Sequence, residues 1–159
     1  MRLKGKRAFI TGSGNQRGIG CGIARTMAKE GADIILHYIP TTSGEVKQVK
    51  DMIQQYGVNV MAVQGDISSH EEVTAMFEKI ESEWGGVDIV VNNAGVCVWD
   101  DFIDVKDEDY TKMTDINLKG TINCASHAAK MMLRHGTKGS IINIASCHAR
   151  RPFPNMSIY

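Results

Sequence analysis

The residues best suited to chemistry fall at a few places along the chain. Near the N-terminus, Thr11 to Gly20 reads T-G-S-G-N-Q-R-G-I-G, between an apolar run, Arg7-Ala8-Phe9-Ile10, and a stretch of helical spacing from Ile19 to Ala28. A doubly wound α/β domain places a dinucleotide's phosphates at such a strand-to-helix turn. Glycines let the backbone approach closely, and the helix N-terminus offers free N–H groups and a partial positive charge. The usual G-x-G-x-x-G spacing is not met. Counted from Gly12 and Gly14 the third position is Arg17, and from Gly18 and Gly20 it is Ile23. On this stretch alone a plain flexible turn stays open. Further along, Asp66 in Gly65-Asp66-Ile67 could accept a hydrogen bond from an adenine amino group while Ile67 packs on the ring. Asn92-Asn93-Ala94-Gly95 would let the backbone lie against a flat ligand. Asn117 sits within Asp115-Ile116-Asn117-Leu118-Lys119-Gly120. Ser146 ends an apolar run, and Tyr159 follows 13 positions later.

The elements that must position these residues alternate. Strands are expected over 7–11, 32–38, 59–64, 87–92 and 139–146. Helices are expected from about Gly18 to Glu30 with Gly31 as the C-cap glycine, from Thr42 or Ser43 to about Tyr56, from Ser68 or Ser69 to Trp84, and as one long helix over 107–135. Nearly continuous apolar runs such as Ile34-Ile35-Leu36 suit parallel strands buried on both faces. The pattern predicts an α/β, Rossmann-like, doubly wound parallel sheet of about five strands with helices on both faces. A complete fold of this type has six strands in two halves. No repeat, low-complexity tract or linker marks a second domain, so residues 1–159 read as one dinucleotide-binding domain.

Composition narrows the classes. The chain has 159 residues, 18 basic and 18 acidic, for a formal net charge of zero, so nothing argues for nucleic acid or an anionic membrane as partner. No apolar run approaches the roughly 20 residues of a membrane helix, and no apolar segment precedes the first strand as in a secretory signal. Cys21, Cys97, Cys124 and Cys147 show no C-x-x-C pairing, which fits reduced thiols and a cytoplasmic location. The five histidines lack metal-ligand spacing, and no metal site is expected. Cys97 and Cys147 read as small apolar fillers near the cleft, Trp99 and Phe102 as pocket or packing residues, and Arg150-Arg151 as solvated charges.

Taken in order, these motifs resemble the short-chain dehydrogenase/reductase family. The most specific parts are Asn92-Asn93-Ala94-Gly95, Asn117 in Asn-Leu-Lys-Gly, and Ser146 with Tyr159 at the family's interval. The resemblance implies an NAD(P)-dependent oxidoreductase moving a hydride between a nicotinamide and a ketone or secondary alcohol of 3-oxoacyl, sugar or polyol type. It implies that Gly12, Gly18, Ile19 and Gly20 hold the pyrophosphate side, with Ser13, Arg17 and Tyr38 as further cofactor-binding residues. Asp66 and Ile67 would hold adenine, and Asn93, Ala94 and Gly95 would line the ribose and phosphate path. Ser146 would hydrogen-bond the substrate carbonyl, Tyr159 would act as general acid or base, and Asn117 would hold a water in a proton relay. Hydride transfer builds negative charge on oxygen, which one hydroxyl donor stabilises while another supplies the proton. The intact form is expected to be a homo-oligomer, a dimer or tetramer.

Two departures from the family pattern matter. In the family a lysine four positions after the tyrosine lowers the tyrosine's pKa, and this chain stops at Tyr159. An incomplete stretch of a longer enzyme is therefore expected, with the alternative a non-catalytic nucleotide-binding fragment lacking that lysine. The family's turn is commonly Thr-Gly, three residues, then Gly-x-Gly, whereas five residues, Ser13 to Arg17, stand here. Such spacing also resembles the enoyl-reductase branch, but the Ser146-to-Tyr159 interval favours the carbonyl-reducing branch. An acid at the end of the second strand would favour NAD, and His37-Tyr38-Ile39-Pro40 has none. Arg17 stands where related NADPH enzymes keep an arginine, so NADP is the expected cofactor, with NAD possible.

Overall fold

The computed structural model describes residues 1–159. Five parallel strands form one sheet: β1 (Arg7–Ile10), β2 (Asp33–Tyr38), β3 (Val60–Gln64), β4 (Ile89–Asn92) and β5 (Ser140–Asn143), in spatial order β3-β2-β1-β4-β5. The helices are α1 (Ile19–Lys29), α2 (Ser43–Gln54), α3 (His70–Trp84), α4 (Asp107–Met113) and α5 (Thr121–Arg134). The chain grows outward from β1 to β3, then crosses to β4 on the other side of β1. The β1/β4 junction is therefore the switch point, where a doubly wound sheet opens a crevice at the carboxyl ends of its strands.

Period-2 alternation divides each strand between two cores. Ala8, Ile10, Ile34, Leu36, Ile89 and Val91 pack with Cys21, Ala24 and Ala28 of α1 and Val46, Val49 and Ile53 of α2. Phe9, Ile35, Met61, Val63 and Val90 face the opposite way, onto Val73, Phe77 and Ile80 of α3 and Cys124, Ala128 and Met131 of α5. Helices thus cover both faces, as the alternating pattern predicts.

Helix ends follow local chemistry. Ser69 caps α3 by accepting the Glu72 N–H at 3.2 Å, and Gly85 ends it in the left-handed region at φ 70°. Gly31, at φ 90°, terminates α1 as expected. The long helix expected over 107–135 is one continuous path with a π-helical section at Thr114–Gly120. Such wider turns are rare inside α-helices and frequent at functional sites. Within this one the Asn117 side chain accepts the Val96 N–H and donates to the Val96 carbonyl, both at 2.8 Å. The last strand is shorter than the expected 139–146. It is an edge strand whose ladder runs only from Ile89↔Ser140 to Asn92↔Asn143, followed by one further bond from Ile144 N–H to the Asn92 carbonyl. No helix is long and apolar enough to cross a membrane.

Candidate functional site

The glycine turn leaves β1 and is held by the chain's own groups. Thr11 Oγ1 accepts the N–H groups of Asn93 and Ala94, both at 2.9 Å, and so ties the end of β1 to the loop after β4. Asn93 Nδ2 returns a bond to the Thr11 carbonyl at 2.9 Å. Gly12 sits at φ 64°, and a Cβ there would lie 2.9 Å from Ala94 Cα, so both conformation and contact call for glycine. A Cβ on Gly20 would meet Asn93 Nδ2 and the Gly12 carbonyl at 2.7 Å, which is how α1 starts so close under the loop. Ser13 is fully buried. Its hydroxyl donates to the Ile10 carbonyl at 2.8 Å and accepts the His37 N–H at 3.0 Å.

His37 is the buried hub of this turn. Its Nδ1 accepts the Gly12 N–H at 2.9 Å, its Nε2 lies 2.8 Å from the Gly65 carbonyl, and its own carbonyl accepts the N–H groups of Ser13 and Gly14. A donor at Gly12 fixes Nδ1 as the acceptor, so Nε2 carries the proton and donates to Gly65. Burial pushes the imidazole below its ordinary pKa, against the opposing pull of the Gly65 carbonyl and the Asp66 charge.

The first helical bond of α1 is Gly22 N–H to the Gly18 carbonyl, so the N–H groups of Ile19, Gly20 and Cys21 precede it and point out of the helix end. No acidic residue occupies the first turn to compete with an anion. Beside this end lies a cavity of about 360 Å³ lined by Gly12, Gly14, Gly18, Ile19, Tyr38, Thr42, Asp66, Ile67 and Asn93 to Val96, among others. Asp66 is its sole charged lining residue. Asp66 Oδ1 takes the Ser68 N–H and hydroxyl, which leaves Oδ2 for a ligand donor. A second cavity of about 660 Å³ holds Asn117, Ser146 and Tyr159 in its wall, with Cys97, Met113, Ile144 and Cys147. Ile19, Asn93, Ala94, Gly95 and Val96 line both, so the two form one cleft across the switch point. Ile19 is 71% exposed at their junction, an apolar surface that a ligand in the cleft would cover. Ser146 Oγ accepts the His148 N–H at 3.2 Å, so its own proton is free to point into the cleft. The His148 ring lies 5.8 Å from the Tyr159 ring, edge to face.

Most residues expected from the sequence thus line the cleft: Gly12, Gly18, Ile19, Tyr38, Asp66, Ile67, Asn93, Ala94, Gly95, Asn117, Ser146 and Tyr159. Ser13 and Gly20 stand behind it and shape the loop. Asn93 presents its amide to Thr11 rather than to the opening. Arg17 is exposed and lines neither cavity; its N–H is held by Asn15 Oδ1 at 2.8 Å, and its guanidinium makes no salt bridge. Thr11 and His37 join the site without being expected there from the sequence. For His37 one signal exists: a histidine directly after the buried run Ile34-Ile35-Leu36, in the same strand, must be satisfied by hydrogen bonds.

Comparison with known proteins fits this geometry. Residues 12–159 match the family described as Enoyl-(Acyl carrier protein) reductase. A short-chain dehydrogenase/reductase of Armillaria gallica is 33% identical over 156 residues, 98% of this chain and 59% of its own length. The 3-oxoacyl-[acyl-carrier-protein] reductase FabG of Staphylococcus aureus (strain Mu50) is 35% identical over 141 residues, 89% of this chain and 56% of that protein. NAD+-bound xylitol dehydrogenase superposes with a TM-score of 0.91 at 25% identity, over all of this chain and 60% of its own. A gluconate 5-dehydrogenase from Burkholderia cenocepacia, solved with NADP and tartrate, gives 0.89 at 32% identity, over 99% of this chain and 60% of its own. The chain therefore spans about three-fifths of the length of the relatives it matches. With its five-stranded switch-point cleft and its match over residues 12–159, the chain belongs to the short-chain dehydrogenase/reductase family.

Proposed function

We propose that residues 1–159 form the dinucleotide-binding unit, and part of the catalytic wall, of an NAD(P)-dependent oxidoreductase acting on a ketone or secondary alcohol. The observation that carries this reading is the convergence of Asn117, Ser146 and Tyr159 on one cavity continuous with the α1 N-terminus. The donor set fits a dinucleotide: free N–H groups at α1 for the pyrophosphate, the unpartnered Asp66 Oδ2 for an adenine amino group, and apolar Ile19 and Ile67 against flat rings. A reduced nicotinamide held there would supply a hydride to a carbonyl carbon.

The chain's own residues then handle the oxygen. The Ser146 hydroxyl, its acceptor side engaged by His148 N–H, donates to the carbonyl oxygen and stabilises the charge that develops on it. Tyr159 donates its proton to the same oxygen, or removes it in the reverse direction. Asn117, bonded to Val96, lines the same cavity as Ser146 and Tyr159, and its place suits a water in the proton path. The 3-oxoacyl reductase among the relatives and the sugar and polyol dehydrogenases among the structural neighbours support a 3-oxoacyl, sugar or polyol substrate. The intact protein is taken to be a homo-oligomer.

NADP is the favoured cofactor. β2 ends in Tyr38 and Ile39 without a carboxylate, and Arg17 stands unpaired on the loop. Glu45 is turned onto the Gln16 N–H at 3.1 Å and does not line the cavity. Parallel titrations with NADPH and NADH test this, and tighter NADH binding would sink the preference. Turnover is tested by NADPH oxidation with a panel of 3-oxoacyl thioesters, ketoses and simple ketones. Ser146→Ala should cost about 10²–10³ in kcat and Tyr159→Phe about 10²–10⁴. Unchanged rates in both variants, or no binding of either cofactor, would refute the assignment.

A further inference from the structure

The His37 ring is buried between three strands, yet it does not open onto reacting atoms. Its Nδ1 takes the N–H of Gly12, the turn's left-handed residue, and its Nε2–H holds the carbonyl of Gly65, next to Asp66. Its backbone carbonyl holds Ser13 and Gly14, and its backbone N–H is held by Ser13 Oγ. Phe9 meets the ring edge-on, with ring centroids 6.2 Å apart. One imidazole therefore sets both ends of the proposed adenosine site, the phosphate turn through Nδ1 and the adenine-side loop through Nε2. Gly12 N–H is consumed by this bond, which leaves the α1 N-terminal N–H groups as the backbone donors for an anion.

We propose that His37 is a positioning residue for the dinucleotide: its neutral Nε2–H tautomer presets the Gly12 turn, and the Nδ1 acceptor is the atom on which cofactor affinity depends. This rests on the reading of the cleft as a dinucleotide site. The two ring nitrogens have separable roles, because the Asn side chain can place an acceptor near Nδ1 while Gln can place a donor near Nε2.

His37→Asn and His37→Gln each lose one buried hydrogen bond and should lower the unfolding midpoint by similar amounts. Their effects on cofactor binding should differ. Fluorescence titration with NADPH and NADH should give a dissociation constant within about threefold of wild type for His37→Asn and at least tenfold weaker for His37→Gln. Equal weakening in the two variants, tracking their loss of stability, would overturn the inference and leave the dinucleotide reading intact. Failure of the unaltered protein to bind either cofactor would overturn both. Nitrogen NMR of the unaltered protein gives an answer even if a variant does not fold. It should show His37 protonated on Nε2 and bare on Nδ1, with the Gly12 amide coupled to Nδ1; the opposite tautomer overturns the inference.

Discussion

Replacing Thr11 by valine tests whether the cleft is built by the hydroxyl that joins β1 to the loop after β4. The two side chains are nearly isosteric, so packing in the buried site is retained. What is lost is Oγ1, which accepts the Asn93 and Ala94 N–H groups at 2.9 Å each and donates to the Val91 carbonyl at 3.4 Å. Stranding a buried donor costs about 1–3 kcal/mol. Both N–H groups belong to half-buried residues that water can partly reach, so the pair should cost about 2–4 kcal/mol in all. Against a total stability of about 5–15 kcal/mol, that is a visible shift of the urea midpoint. Thr11→Ser keeps the oxygen and loses one methyl, for about 0.8 kcal/mol. Urea unfolding followed by tryptophan fluorescence reads both. Valine within about 0.5 kcal/mol of wild type, the ordinary surface-substitution range, would refute the reasoning. So would serine as damaging as valine.

Two further outcomes follow from the remaining buried groups. Burial raises the Asp88 carboxyl, but the Arg7 N–H and Nε, both 2.9 Å from Oδ2, outweigh it and hold the group below its ordinary pKa. A lowered acid stabilises the fold above the unfolded value of about 4 and loses that contribution as pH falls toward the native value. Asp88→Asn should therefore cost about 1–3 kcal/mol at neutral pH, and the gap should narrow as pH falls below the ordinary carboxylate range; a gap independent of pH in urea melts would contradict this. The four cysteines are free, Cys21 and Cys124 buried, Cys97 and Cys147 exposed in the wall of the second cavity. Burial pushes the Cys124 thiol up to about 12. Iodoacetamide at mildly alkaline pH should label Cys97 and Cys147 in the native protein, more slowly with NADP(H) bound, and Cys21 and Cys124 only after unfolding; mass spectrometry showing early label on Cys124 would contradict the packing.

The layered order of strands and helices was legible because it rests on periodicity. Ile34-Ile35-Leu36 needs apolar neighbours on both faces, and Ser69 three residues before Glu72 marks a helix start wherever it occurs. The π-helical section at Thr114–Gly120 was not legible, and the bonds made from within it reach elsewhere in the chain. Asn117 reaches the Val96 backbone, 21 residues away, and local propensity carries no trace of that bond. The same holds for β5. The apolar run spans eight residues, but β4 is itself four residues long and pairs with only four of them.

The glycine turn shows most clearly where such reading stops. Its glycines mark a place where backbone comes close to something, and sequence alone suggests that the something is a ligand. At Gly12 and Gly20 the close neighbours are instead Ala94 and Asn93 of the chain itself. The extra residues between Gly12 and Gly18 do not leave the loop slack either, since Asn15 Oδ1 holds Arg17 N–H, Glu45 holds Gln16 N–H, and Gln48 holds the Gln16 side chain. Thr11, Ser13, His37 and Asn93 spend their polar groups on fixing the turn, so that the groups left over, the first N–H donors of α1, meet an anion without reorganising. Order set in advance by the fold removes an entropic cost from binding. On the proposed dinucleotide reading, that is how a loop two residues longer than the family's common form would still serve as a phosphate grip.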